Sequence, residues 1–542
     1  MAASRRLLAI ADDLSGAAEV AAALHSRTTR SRVLLIGGPG AVNGGVARAL
    51  RPRHPGEATV LDLDSRYRPA TEAAEAVREA LRLSSPDENA PDALDTLVLK
   101  KIDSLLRGNV AAEIAALAEG GAGVVLAPAL PIAGRVVRSG VVHLGGVALH
   151  ESDAWRAETL LPPASVAHAL GGLPTALVPL TTVRASRRTL LTALRTAAAA
   201  GRVAICDAET DADLDAVVEA ALAEGPRMRL IGSGGLALAL GRHLRTTLNA
   251  IGAGAAPAAT GKRGAPAADA APAAPPAEMA VAAPPADMAV GAASAAASPA
   301  SAGRPVLVVV GTAEPAAAEQ VRRLVEDGAV HHQLPLAELL SGGAPVRLPP
   351  LTAPVTVVSL GTPSGAPDPA PPHGAVATDT APLPSPRPAP ETVTPAAAPG
   401  PAPSPTPRPT PGTPPTPASP SIDTADHTGP DRPDGQTGKQ PGAVSGRRLV
   451  LGLARVIGDA VAAHHGAVDL VLTGGETARR VLDALAVAEL DPVGQVHHGA
   501  VHLATPDGRS VVTRPGSFGD PDSLRQIVQA LRPHSTERKV TP

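Results

Sequence analysis

Ten consecutive residues, Lys100-Lys101-Ile102-Asp103-Ser104-Leu105-Leu106-Arg107-Gly108-Asn109, place two ammonium groups, a carboxylate, a hydroxyl, a guanidinium and a glycine directly behind an apolar run. That set suits an anionic polyol, because a guanidinium takes a carboxylate bidentately and an aspartate accepts from a hydroxyl. Lys101, Asp103, Ser104 and Arg107 are therefore candidates for binding; the plainer alternative is a solvated loop leading to a helix capped by Asn109. A second place is Asp12-Asp13-Leu14-Ser15-Gly16. Its adjacent carboxylates could hold a substrate hydroxyl or a metal, or one of them could cap the following helix. A third is the proline-stiffened loop Ala127-Pro128-Ala129-Leu130-Pro131-Ile132-Ala133-Gly134-Arg135, which ends in a glycine beside a guanidinium.

Two glycine-rich turns invite a phosphate. In Leu472-Thr473-Gly474-Gly475-Glu476-Thr477-Ala478 an apolar run passes through two glycines into a helical pattern. Glycines let the backbone approach a phosphate, and a helix N-terminus offers N–H groups and partial positive charge. The turn lacks the Gly-Lys-Ser/Thr ending of a Walker A loop. Arg514-Pro515-Gly516-Ser517-Phe518-Gly519-Asp520 carries the one Phe of the chain. That ring could wall an adenine or ribose, or plug a local apolar cluster.

These stretches need strands and helices to hold them. Leu7–Ala11, Val33–Ile36, Thr59–Leu63, Thr96–Leu99, Gly123–Leu126, Val203–Cys206 and Arg229–Ile231 are short aliphatic runs, most followed by Ala-rich amphipathic stretches. Val306–Val310, Val355–Ser359 and Leu470–Thr473 repeat the pattern. Alternating strands and helices predict an α/β fold of mostly parallel sheets flanked by helices, in which ligands bind beyond the carboxyl ends of the strands. Residues 252–303 and 363–445 break from this pattern: they are dominated by Ala, Pro and Gly, as in PSPTPRPTPGTPPTP. Such composition cannot bury enough apolar surface to offset chain entropy, so both are expected to be disordered. The expected organisation is one α/β domain at 1–251, a linker at 252–303, and a second α/β domain at 304–362 and 446–534, interrupted by the Pro-rich insertion at 363–445.

Composition narrows the partners. A formal charge of -3 and 1% aromatic residues in 542 supply neither a basic field nor stacking platforms, which argues against nucleic acid. The single Cys206 lies in an apolar run and permits no disulfide framework, which fits a reducing cytoplasm. Asp12 and Asp13 interrupt the apolar start before it could act as a signal segment, and no run of roughly 18 apolar residues suggests a membrane span. The His pairs at 331, 464 and 497 share no ligand spacing that would unite them around a metal.

In types and order, ADDLSGAAEVA from residue 11, KKIDSLLRGN from 100, APALPIAGR from 127, GTAEPAAAEQ from 311, TGGETARRVL from 473 and RPGSFGDPDSL from 514 resemble the four-carbon acid sugar kinases. The resemblance spans both α/β regions and omits both Ala/Pro-rich stretches. It implies an N-terminal domain for the sugar acid, a C-terminal domain for ATP, and transfer of the γ-phosphoryl group, with Mg²⁺, to a hydroxyl of a tetronate or 3-oxo-tetronate. It carries Asp12, Asp13, Asp103, Ser104, Arg107 and Arg135 to the substrate side, beside Lys101 from the basic stretch, with Asp103 or Asp13 orienting the hydroxyl or acting as base. To ATP it carries Gly311, Thr312, Gly474, Gly475, Glu476, Thr477, Gly516 and Gly519. The chain departs from the pattern at Gly140–Ala154, where the expected hairpin and the approach to Asp153 are altered. It also departs at Arg514, where a lysine is usual, and at Thr312, where a serine is common. The altered segment keeps a second reading open, a catalytically weakened relative that senses a sugar acid; a third makes the Pro-rich stretch an interaction scaffold. A monomer and a homodimer are both compatible with the sequence.

Overall fold

The computed structural model describes residues 6–26, 29–37, 52–54, 56–84, 96–156, 158–254, 303–312, 315–341, 346–361, 441–516 and 519–532. Residues 255–302 and 362–440, the greater part of the two Ala/Pro-rich stretches, lie outside the described residues, as do Ser517 and Phe518. The described residues belong to one compact unit.

Its strands are β1 (Arg6–Ala11), β2 (Ser31–Leu35), β3 (Ala58–Asp62), β4 (Thr96–Lys101), β5 (Gly123–Ala127), β6 (Arg135–Arg138), β7 (Val141–Leu144), β8 (Val147–Ala148) and β9 (Thr175–Val178). They continue with β10 (Val203–Cys206), β11 (Met228–Gly232), β12 (Val306–Val310), β13 (Val330–Pro335), β14 (Val355–Gly361), β15 (Asp469–Thr473), β16 (Glu489–His497), β17 (Ala500–Ala504) and β18 (Ser510–Arg514). Fifteen of them form a single sheet in the order β13-β14-β12-β15-β18-β17-β16-β2-β3-β1-β4-β11-β5-β10-β9, and β6-β7-β8 form a small separate sheet. The aliphatic runs become strands because a parallel strand covered on both faces must be apolar throughout: β12 reads VLVVV, and all five of its residues are buried.

Pairing is parallel from β2 through β9 and again from β13 through β18. Between these arrays, β18 to β17, β17 to β16 and β16 to β2 are antiparallel. Three successive reversals leave the two parallel arrays running in opposite senses. The seam itself is short, Glu489 opposite Leu34 and Leu490 opposite Val33. Beside it Arg32, buried with Glu57, lies 3.6 Å from that carboxylate and 3.5 Å from Glu489.

With one Trp, one Tyr and one Phe in the whole chain, the core is built from Ala, Val, Leu and Ile. Small side chains let helices lie close on the sheet: Ala17, Ala18, Ala21, Leu14 and Leu24 of helix Leu14–Leu24 are all buried. The altered segment after Arg135 does build a hairpin, β6 to β7 with Arg135 opposite Leu144, followed by short turns at Leu149–Glu151 and Asp153–Trp155. Trp155 ties it down by donating from Nε1 to the Leu105 carbonyl at 2.8 Å.

Candidate functional site: a charged cleft between two helix N-termini

β1 ends at Ala11, and Asp12 and Asp13 follow at its carboxyl end. Asp13 takes the capping role that its position allows. With extended backbone it precedes helix Leu14–Leu24 as N-cap, and its Oδ1 accepts from Gly16 N at 2.9 Å. Its other contact is Arg66, whose Nη1 donates to Asp13 Oδ2 at 2.9 Å. The same guanidinium grips Asp12 bidentately, Nε to Oδ2 at 2.7 Å and Nη2 to Oδ1 at 3.0 Å. Burial of Asp12 would raise its carboxyl, but Arg66, with Lys100 and Lys101 behind it, holds it below the ordinary value. Burial would likewise lower Arg66, and Asp12, Asp13 and Asp103 together raise it well above the usual guanidinium range.

Arg66, like Asp64 and Arg480, is not among the residues that the sequence singles out. It lies in Asp62-Leu63-Asp64-Ser65-Arg66-Tyr67-Arg68, which follows β3, so a strand end dense in charge was the available signal. The loop is fixed from below. Ser65 Oγ donates to Glu113 Oε1 at 2.5 Å, and Glu113 pairs with buried Lys100 at 2.9 Å. Asn109 does not cap its helix with its side chain; its Nδ2 donates instead to the carbonyls of Ser65 and Arg68, each at 2.9 Å.

From the other array, helix Gly475–Ala484 follows β15. Gly474 occupies its N-cap at φ 89°, in the left-handed region where glycine is unstrained. A Cβ on Gly475 would lie 2.5 Å from Asp13 Oδ2, so only glycine lets this helix start abut the carboxylate pair. A Cβ on Gly311 would lie 2.0 Å from Thr477 Oγ1, and one on Gly516 would lie 3.5 Å from the Thr312 side chain and 3.8 Å from Gly474 Cα. Gly311 thus packs on the Thr477 side chain, and Gly516 on the Thr312 side chain and Gly474, beside the start of the helix. Gly519 lies further out, at φ 95°, beside Ser523 and Arg514. Arg514 is buried, donating from Nη1 to Ser523 Oγ at 3.1 Å and from Nη2 to Gln320 Oε1 at 2.5 Å, and burial brings its guanidinium down to about 10.

Asp12, Asp13, Asp64, Arg66, Arg480 and Glu476 line a narrow cleft of about 20 Å³ between these two helix starts. Burial raises the Glu476 carboxyl, with Arg480 opposing. The remaining predicted residues form an adjoining patch. Arg107 holds Asp103 through Nε to Oδ2 at 2.6 Å and Nη2 to Oδ1 at 2.9 Å, and Arg135 Nη1 donates to Ser104 Oγ at 2.5 Å. Burial of Asp103 would raise its carboxyl; the hydrogen bond and charge of Arg107, with Arg66 and Lys101, overcome this and hold it well below the usual carboxylate range. Lys101 lies 3.4 Å from Glu19. Phe518, the expected wall, lies outside the described residues. Among the described residues no group of three or more His, Cys, Asp or Glu is placed to hold a metal ion, and no helix is long and apolar enough to cross a membrane.

Comparison with known proteins adds the lineage. Residues 7–240 match the family described as a sugar-binding N-terminal domain, and residues 423–524 match the family described as a nucleotide-binding C-terminal domain. The D-threonate kinase of Cupriavidus necator is 37% identical over 236 residues, covering 43% of this chain and 53% of that protein. The D-threonate kinase of Salmonella typhimurium is 31% identical over 240 residues, with the same shares of each chain. The chain thus spans about half the length of the curated relatives it matches. Among solved structures, a Salmonella typhimurium LT2 protein provisionally designated a tRNA synthase aligns with a TM-score of 0.58 at 16% identity over 96% of this chain and 98% of its own. Haemophilus influenzae protein HI1011 aligns with a TM-score of 0.52 at 16% identity, covering 96% and 99%. At that identity the likeness is one of fold. With a sugar-binding and a nucleotide-binding match in sequence order, together covering more than half its length, the chain belongs to the four-carbon acid sugar kinase family.

Proposed function

We propose that the chain is an ATP-dependent kinase that phosphorylates a hydroxyl of a four-carbon sugar acid in the cleft between Asp13 and the Gly474–Gly475 turn. The observation that carries the reading is the abutment of Gly475 on Asp13, because it sets a phosphate-accepting helix start against a carboxylate able to orient a hydroxyl. In this reading residues up to 251 bind the acid and the C-terminal residues bind ATP through Gly311, Thr312, Gly474, Gly475, Glu476, Thr477, Gly516 and Gly519. Lys101, Ser104, Arg107 and Arg135 grip the acid, with Asp103 holding Arg107 in place.

Asp13, itself held by Gly16 N and Arg66, is assigned the orienting role rather than Asp103 because it is the carboxylate that abuts the Gly475 helix start. The Asp103 carboxylate is committed bidentately to Arg107 and held well below the usual range, which makes it a weak proton acceptor. The acceptor oxygen forms its bond to the γ-phosphorus as the bond to the ADP oxygen breaks, and the hydroxyl proton passes to the Asp13 carboxylate. Mg²⁺ would arrive with the nucleotide, supplying the charge screening that phosphoryl transfer requires. The reaction belongs in the cytoplasm, where ATP is available.

The test is ADP release from Mg-ATP with D-threonate, D-erythronate and 3-oxo-tetronates in turn, D-threonate being first because the relatives above carry that name. Turnover with one of these acids is expected. Binding of an acid with no ADP release would leave the sensor reading in its place.

A further inference from the structure

The helix that begins at the Gly474–Gly475 turn carries two arginines one turn further on, and both reach across to the loop that holds Arg66. Arg479 is buried, as is its partner Asp62, with Nη1 2.8 Å from Asp62 Oδ2. Its Nη2 donates to the Ile36 carbonyl at 2.7 Å, so one guanidinium closes the carboxyl ends of both β2 and β3. Arg480 Nη2 lies 2.5 Å from Asp64 Oδ2 at the cleft wall. Asp483 aims both arginines, accepting from Arg479 Nε at 3.0 Å and from Arg480 Nη1 at 2.9 Å. The loop they seize is not relaxed: Asp64 sits at φ 51°, pinned by its N–H to Asp62 Oδ1 at 3.0 Å and by Arg68 Nε to its carbonyl at 2.9 Å. Non-glycine residues in that region persist only when their surroundings over-determine them. Two residues later the same loop presents Arg66 to Asp12 and Asp13.

We propose that Arg480, on a helix anchored by the Arg479–Asp62 pair, is a positioning residue that couples the nucleotide turn to the acid site, so that nucleotide and sugar acid each strengthen the binding of the other. The inference rests on the kinase reading above and adds the residues through which its two substrates communicate. The physical basis is a rigid path: the helix start at Gly475, the arginines one turn on, the Asp62–Asp64 hinge, and Arg66 on the carboxylate pair. A ligand that fixes the helix start thereby fixes Arg66, and by linkage an acid that fixes Arg66 must tighten nucleotide binding by the same factor.

Arg480 is the residue to test, since it lines the cleft and its loss leaves the buried Arg479–Asp62 pair intact. In the unaltered full chain, calorimetric titration with ADP is expected to show an affinity about fivefold or more higher when D-threonate is present. In Arg480→Ala that enhancement disappears, while ADP affinity without the acid stays within about threefold of the unaltered chain. The kcat falls by about tenfold or more, because misplacement of the reacting groups costs rate rather than nucleotide binding. Arg480→Lys recovers part of the loss. Asp64→Asn reproduces Arg480→Ala, and the double variant is no worse than either single one, as expected for one shared contact. Persistent enhancement in Arg480→Ala, or strictly additive effects of the two single changes, overturns the coupling while leaving the kinase reading intact. An unaltered chain that releases no ADP with any four-carbon acid overturns the kinase reading instead.

Discussion

Asp13 and Gly475 meet across the cleft so closely that a single methyl group on the glycine would lie 2.5 Å from the carboxylate oxygen. Gly475→Ala is therefore expected to push the helix start away from the carboxylate pair and lower kcat/KM about a hundredfold, as misplacement of this size does at aligned sites. The melting temperature should fall by only a few degrees, corresponding to about 1–2 kcal/mol. Steady-state kinetics beside a thermal melt separates these effects, and an unchanged kcat/KM would refute the assignment of this contact to the site.

Arg66 compensates two carboxylates at once, one of them fully buried. Arg66→Ala leaves Asp12 without its partner and is expected to cost about 3–5 kcal/mol in urea unfolding, the usual penalty for an orphaned buried charge. Arg66→Lys keeps the charge and loses the fork, so it should recover part of the stability and little of the turnover.

Asp103 gives a pH signature. Its carboxyl is held below its unfolded value, near 3.9 for an ordinary aspartate, so the unfolded chain binds the proton more tightly. The stability it contributes is thus fully present above about pH 4 and lost as the pH falls through the folded value. Asp103→Asn should lower unfolding free energy at pH 6 by on the order of 2 kcal/mol and flatten its decline toward pH 3. The same variant should raise the KM for the acid through loss of the Arg107 anchor, leaving ADP affinity unchanged.

Replacing residues 362–440 with a linker of roughly ten Gly and Ser residues should leave kinetics and melting temperature close to those of the full chain, since closure cost grows only logarithmically with length. The strands on either side pair through described residues alone, β12 with both β14 and β15. Loss of a captured protein partner on deletion would support the scaffold reading in place of a passive insertion.

Two parallel strands, β9 and β13, the latter reading VHHQLP, fell in no expected run; the other parallel strands except β18 were legible as short aliphatic runs, and β12 matches its expected bounds residue for residue. The strands β16 to β18 were not. β16 carries Pro492, Gly494 and His497 and shifts register twice against β17, so no periodicity announced a strand. The glycine turn at Gly474 and the carboxylates at Asp12 and Asp13 showed themselves by their place after apolar runs. Arg66, Arg479 and Arg480 did not, because mixed charge after a strand and paired arginines on a helix read equally as solvated surface. Their meaning lies in partners distant in sequence, Asp62 and Asp64 for a helix more than four hundred residues away.

The uninterrupted 15-stranded sheet has a consequence for the integrity of the molecule. A protease that nicks the backbone anywhere between 255 and 302 severs the covalent link but not the β2–β16 seam, the Arg32–Glu489 pair or the Arg479–Asp62 lock. The two fragments would remain a non-covalent complex with its cleft assembled, whereas either fragment made alone would bare a sheet edge and orphan a buried charge.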